Sequence, residues 1–175
     1  MISSSRWPHY AVAVAAFILA KLLYARTATV DVQFLLAPTN ALVELMLSST
    51  SAFDPARGYV HPDLRIVIDK SCAGGTFWLL SWLLLTLTYV HQHGRQPRLA
   101  ALVLVAISFG LTLLVNAARI AGAVTLSRIL PMGVPQPAWL HEAQGALVYL
   151  FSLVACHFAL LFFLSKTSVA RAHSA

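Results

Sequence analysis

Cys72, Arg119 and His141 are the residues of this sequence whose types could combine in acyl-transfer chemistry. A cysteine attacks as its thiolate, which a helix N-terminus or a neighbouring cation favours over the thiol. Cys72 precedes a long apolar run, and the Ala73-Gly74-Gly75 that follows is small enough to let a substrate backbone come close. A histidine can protonate a leaving amine and later activate a second nucleophile. An arginine offers charge and paired donors to the oxyanion of a tetrahedral intermediate. Each residue alone has a plainer reading: an inert packed thiol, an anchor at the end of a span, an exposed loop histidine. What lifts them above that reading is where the chain must deliver them.

Composition sets the solvent in which this delivery happens. Of 175 residues, 59% are hydrophobic and 10% charged, against roughly a quarter charged in an ordinary soluble domain. With a mean hydropathy of +0.76, the chain has more apolar surface than a soluble globule of this size can bury. The expectation is an all-α integral membrane protein forming a single polytopic domain over 1–175. The net charge of +6 does not point to nucleic acid, because no compact basic run with interleaved aromatics appears. Arg6, Arg95, Arg98, Lys166 and Arg171 instead flank apolar stretches, where topology-setting charges belong.

A spanning helix takes about 20 mainly apolar residues. Four segments qualify, at about 8–25, 73–90, 99–118 (with a continuation to 126 left open) and 146–164. The first is read as a retained anchor rather than a cleaved signal peptide, with Lys21 snorkelling to an interface. Residues 32–47 contain Pro38, Asn40 and Glu44, so a lipid-exposed span would be costly, and an interfacial or re-entrant helix is expected. Residues 57–70 carry the alternation Leu64-Arg65-Ile66-Val67-Ile68-Asp69, which predicts a short extramembrane strand or hairpin.

With four spans, Arg6, the loop around Arg95 and Arg98, and the tail share one side, which the positive-inside tendency makes cytoplasmic. The convergence needs no choice of orientation. From Cys72, about eighteen helical residues carry the chain roughly 27 Å across. The basic loop reverses it, and the 99–118 span returns it to Arg119. His141 follows in the next loop, so all three residues meet one face.

The segments that carry these residues resemble the exosortase/archaeosortase family, and are most similar to its short K-type exosortases. Cys72-Ala73-Gly74 matches the family's cysteine motif, Asn116-Ala117-Ala118-Arg119 its N-x-x-R motif, and His141-Glu142-Ala143-Gln144-Gly145 its histidine motif. They occur in family order over 72–145; the first and fourth spans resemble the family only generally. The chain is shorter than many exosortases and has fewer N-terminal spans.

The resemblance implies a cysteine protease/transpeptidase of the bacterial cytoplasmic (inner) membrane, with its active site on the extracytoplasmic side. Its substrate would be a protein with a C-terminal sorting signal made of a short motif, a transmembrane helix and a basic tail. Cys72 would form the acyl-enzyme, His141 would move protons and Arg119 would stabilise the transition state. Asn116 would orient Arg119 or bind substrate, and Gly74 would also face substrate. The acceptor nucleophile is left open, and no metal or cofactor is implied. The alternative is a noncatalytic membrane scaffold or assembly factor; a small transporter subunit lacks the mid-membrane polar residues it would need.

Three other features are read as structural. Cys156-His157 lies about ten residues into the last span, roughly 15 Å from the face that receives His141, which also argues against a Cys72–Cys156 disulfide. His91 and His93 lack carboxylate or thiol partners and sit at the opposite face. Glu142 is a secondary candidate for orienting His141, and Trp78, Trp82 and Trp139 suit anchoring or packing.

Overall fold

A computed structural model of the chain describes residues 6–93, 98–129 and 138–173, with side chains left out at 98, 138–142 and 167–173. Helix α1 spans Trp7–Ala25, and a 3-10 turn at Val30–Val32 leads into α2, Gln33–Leu47. Strands β1 (Ala52–Asp54), β2 (Gly58–His61) and β3 (Ile66–Ile68) follow, then a 3-10 turn at Lys70–Cys72. Helices α3 (Gly75–His93), α4 (Arg98–Ile129) and α5 (Ala138–His173) complete the described chain. Five stretches are long and apolar enough to cross a membrane: Trp7–Ala25, Val30–Leu47, Lys70–His93, Leu99–Ile129 and Ala143–Lys166.

The distribution of side chains among the described residues is the one expected if these apolar helices cross a membrane. Large apolar residues face outward, with Phe151 75% exposed and Phe163 65% exposed. Ser81, Thr88, Ser108, Thr112 and Asn116 are buried between helices. The hydroxyls return to the backbone of their own helices, as Thr112 does to the Ser108 carbonyl (2.7 Å). Small and hydroxylated residues at helix contacts let backbones approach where lipid supplies no hydrophobic driving force.

Paired contacts give the helix directions. Arg6 Nη1 donates to the His91 carbonyl at 2.7 Å, while the Tyr24 ring packs so closely on Gly75 that a Cβ there would overlap it. Thus α1 and α3 run antiparallel. Phe77 stacks on Tyr149 with centroids 4.6 Å apart, and further along both helices Thr88 Oγ1 meets His157 Nδ1 at 3.0 Å. Thus α3 and α5 run parallel.

Helix α2 is long and apolar enough to cross a membrane, but it lies beside only the second half of α4. Its first turn places Phe34 against Trp78 and Phe109, at centroid distances of 5.9 and 6.4 Å. Its last residues, Met46 and Leu47, line a depression with Ala118, Thr125 and Ile129. Phe109 precedes Asn116 by about 10 Å of helix, and Ile129 follows it by roughly 20 Å. The chain therefore descends from α1 to the level of Phe109 and climbs back out alongside α4. Pro38 is inside α2, and the buried Asn40 points into a polar cluster with Ser51 and His61.

The elements run further than the stretches read from the sequence, and one expectation, the loop at His141, needs correction. The third span, whose continuation to 126 the sequence leaves open, runs on as α4 to Ile129, with Ile120, Ala121 and Val124 continuing its buried face. Arg119 therefore sits within a helix rather than at its end. The fourth helix begins at Ala138, before 146, so the backbone at His141 is helical and not loop. Residues 57–70 hold the expected hairpin as β2 and β3, and β1 extends it to a three-stranded antiparallel sheet in the order β1-β2-β3, with Val60 opposite both Ala52 and Val67.

Candidate functional site

A single apolar cluster joins the elements that carry Cys72 and Arg119. Val32 of the first 3-10 turn and Leu35, Leu36 and Val43 of α2 pack with Ile68 of β3, Ala73, and Ala117 and Ile120 of α4. Close packing of these side chains around Ala73, beyond the turn's own few hydrogen bonds, holds the short Cys72 turn in place. Locally, Asp69 caps that turn by accepting from the Ser71 backbone N–H at 2.9 Å. The Cys72 N–H donates to the Asp69 carbonyl at 2.9 Å. Helix α3 then starts with the Trp78 N–H donating to the Gly74 carbonyl at 2.9 Å.

Asn116 is the hub. It is 0% exposed, and its Nδ2 donates to the carbonyl of Cys72. Its Oδ1 accepts from Arg119 Nε at 3.3 Å and from the Tyr149 hydroxyl at 2.8 Å. Residues three apart on a helix share a face, which is why the N-x-x-R spacing lets Asn116 hold Arg119. Both lone-pair directions of the amide oxygen are thus occupied by the protein. The geometry has Asn116 tie the Cys72 backbone, Arg119 and Tyr149 together.

Gly74 owes its place to the same contact. Its φ is +71°, and a Cβ there would lie 3.1 Å from Asn116 Cγ and 3.2 Å from Thr112 Cγ2. A side chain would meet both the left-handed backbone penalty and the α4 surface. Gly145 has a parallel role on α5, since a Cβ there would come within 3.2 Å of Arg119 Nη1.

The Arg119 guanidinium is held on two sides. Its Nε is bonded to Asn116, and its Cζ lies 5.2 Å from the centroid of the Tyr149 ring, within cation–π range. Tyr149 is itself stacked on Phe77 of α3. Arg119 is half-buried and borders two cavities. One, of about 260 Å³, is lined by Ile66, Val67, Ile68, Cys72, Arg119 and Gln144, among others. The other, of about 390 Å³, is lined by Tyr24, Lys70, Gly74, Arg119 and Tyr149, among others. The structure thus brings Cys72 and Gly74, from the turn before α3, together with Asn116 and Arg119 of α4.

His141 occupies a position in α5 one helical turn before Gly145; its side chain, like that of Glu142, lies outside the described residues. Helical positions four apart share a face, so 141, 145 and 149 form one row on α5. That row is also the signal by which Tyr149, absent from the motifs, could have been found: a tyrosine in an apolar span, in register with Gly145 and His141. Gln144 likewise reaches the Cys72 cavity.

The residues read as structural lie apart. Cys72 and Cys156 are both free thiols. His157 meets Thr88, which lies about 20 Å along α3 from Gly75. His93 stacks on Tyr89 at the far end of α3, centroids 4.4 Å apart. Among the described residues, no three His, Cys, Asp or Glu side chains group as metal ligands. No family model matches the sequence, and no curated protein or solved structure matches it.

Proposed function

We propose that the protein is a membrane-embedded cysteine transpeptidase, similar to exosortases, that cleaves a sorting signal near the C-terminus of membrane-anchored proteins. The observation that carries this reading is the cavity bordered jointly by Cys72 and Arg119, with buried Asn116 bonded to both. An anchoring arginine needs no such partner, and an inert thiol needs no cavity.

In the first step the Cys72 thiol gives its proton to His141 and its sulfur attacks the scissile carbonyl carbon. The carbonyl π electrons move to oxygen, and Arg119 stabilises that oxyanion through its Nη donors. Collapse of the intermediate breaks the C–N bond, and the leaving amine takes the proton from His141. The thioester is then resolved by an amine or by water, which restores the thiol. Asn116, Tyr149 and Gly145 keep the guanidinium oriented throughout.

The helix directions support a four-span arrangement in which α2 enters partway beside Phe109 and leaves again on the side of Cys72. The basic residues Arg6 and Lys166 then mark the cytoplasmic side, and Cys72 faces the extracytoplasmic one.

Co-expression with candidate C-terminally anchored proteins tests the activity. Wild type should process one of them and form a trappable thioester, and Cys72→Ala should abolish both while membrane levels persist. Normal processing by Cys72→Ala excludes the mechanism, and a silent Cys72→Ser favours a noncatalytic scaffold. A membrane-impermeant thiol reagent should label Cys72 in intact cells; labelling only after lysis reverses the topology.

A further inference from the structure

The cavity beside Cys72 has one wall of an unusual kind. Ile66, Val67 and Ile68 are the consecutive residues of β3, and all three line it together with Cys72 and Arg119. Successive strand residues point to opposite faces of a sheet. A cavity lying over one face would touch Ile66 and Ile68, or Val67 alone. One touched by all three meets the strand along its edge.

That edge is open. The sheet order is β1-β2-β3, so β3 pairs with β2 on one side, and among the described residues no strand pairs with its other side. An unpaired edge presents a row of main-chain N–H and C=O groups, which in a protein either meet water or add another strand. Here the row ends four residues before the nucleophile, since Ile68 and Cys72 are separated only by Asp69 and the 3-10 turn.

We infer that the free edge of β3 binds the segment of substrate next to the scissile bond as an added β-strand, and so feeds its carbonyl to Cys72. The inference rests on Cys72 being the nucleophile. It specifies the form in which substrate binds: an extended peptide recognised mainly through its backbone. The remaining lining, Ile120, Ala123 and Val124 with Ser127 and Gln144, accepts small apolar side chains. Strand addition derives affinity from main-chain hydrogen bonds and selectivity from pockets for alternate side chains.

The test uses the full-length protein in detergent and acetyl-Ala-Ala-Ala chloromethyl ketone as the probe. The Cys72 thiolate displaces chloride, forming a C–S bond as the C–Cl bond breaks and chloride departs with its electron pair. Probes N-methylated at one alanine at a time remove single donors. Rates at Cys72 are read by mass spectrometry and divided by the iodoacetamide rate at the same thiol. Because groups alternate along a strand edge, methylation at one of two adjacent residues should slow labelling about five-fold or more, the worth of one backbone hydrogen bond of ~1 kcal/mol. Its neighbour should have little effect. Equal rates for all probes, equal slowing at every position, or no peptide labelling of an iodoacetamide-reactive Cys72 would each overturn the inference. These readouts concern alkylation, so they stand apart from turnover: processing by Cys72→Ala would refute the enzyme without touching the strand pairing.

Discussion

Asn116 donates a hydrogen bond to the main-chain carbonyl of Cys72, so a helix side chain sets the backbone that carries the thiol. The same amide accepts from Arg119 and Tyr149. Thiol and guanidinium are thereby referred to one buried group.

Asn116→Ala should harm more than a substrate contact would. It leaves the Cys72 carbonyl and Arg119 without their partner, costing about 1–3 kcal/mol of stability for the unsatisfied groups. Thermal unfolding should show that loss, and processing should fall even at saturating substrate. A change in apparent affinity alone, at full maximal rate, would contradict the positioning role.

Arg119→Lys keeps the charge but not the fork. An ammonium cannot bond Asn116 through a planar Nε while lying against the Tyr149 ring. We expect a loss of roughly 10²–10³ in turnover, the range for removing one oxyanion donor, with membrane levels unchanged. Near wild-type turnover by the lysine variant would reduce Arg119 to a point charge.

Gly74→Ala should be disproportionately damaging for so small a change. The positive φ and the contact with Asn116 together predict a cost of at least about 1–2 kcal/mol. Reduced thermal stability with an altered Cys72 alkylation rate is the expected pair of results. Gly110, where a Cβ would meet nothing, is the control position, and Gly110→Ala should leave both readings in place.

Acid should loosen the sheet before it affects the bundle. His61 on β2 is fully buried, with Nδ1 2.7 Å from Ser49 Oγ and Nε2 2.8 Å from Asn40 Oδ1. Burial lowers its pKa, which nearby Glu44 and Asp63 only partly offset. The unfolded chain then binds more protons than the folded one as pH falls below about 6.5. Stability is lost across that window until the folded histidine also titrates, and none is lost above it. Protection factors of the amides in 52–68, with the intrinsic exchange rate at each pH divided out, should fall between pH 7.5 and 5.5, and His61→Gln should flatten that dependence. A wild-type profile unchanged over this range would count against it.

Much of this was legible in one dimension because membrane physics is. Apolar runs of spanning length located the bundle, and the basic loops ordered it. Counting residues across α3 and back along α4 was enough to expect Cys72 and Arg119 at one face. The limits of α4 and α5 were less legible. Apolar packing beyond Asn116 continues the helix past a charged residue that hydropathy treats as a boundary. The path of α2 was ambiguous for a related reason. Its length suits a span, but the groups that tolerate Asn40, Ser51 and His61, are distant in sequence.

Residue types and spacing by themselves determined the class of protein, the common face of Cys72 and Arg119, and the pairing of Asn116 with Arg119 on one turn of helix. Only the tertiary structure decided that Asn116 reaches across to the Cys72 backbone, that Tyr149 clamps the guanidinium, and that an open strand edge runs up to the thiol. Periodicity reports which residues share a face of one element. Which faces meet depends on packing between elements, and that is where Gly74, Gly75 and Gly145 act, by letting the other side chains close around the site.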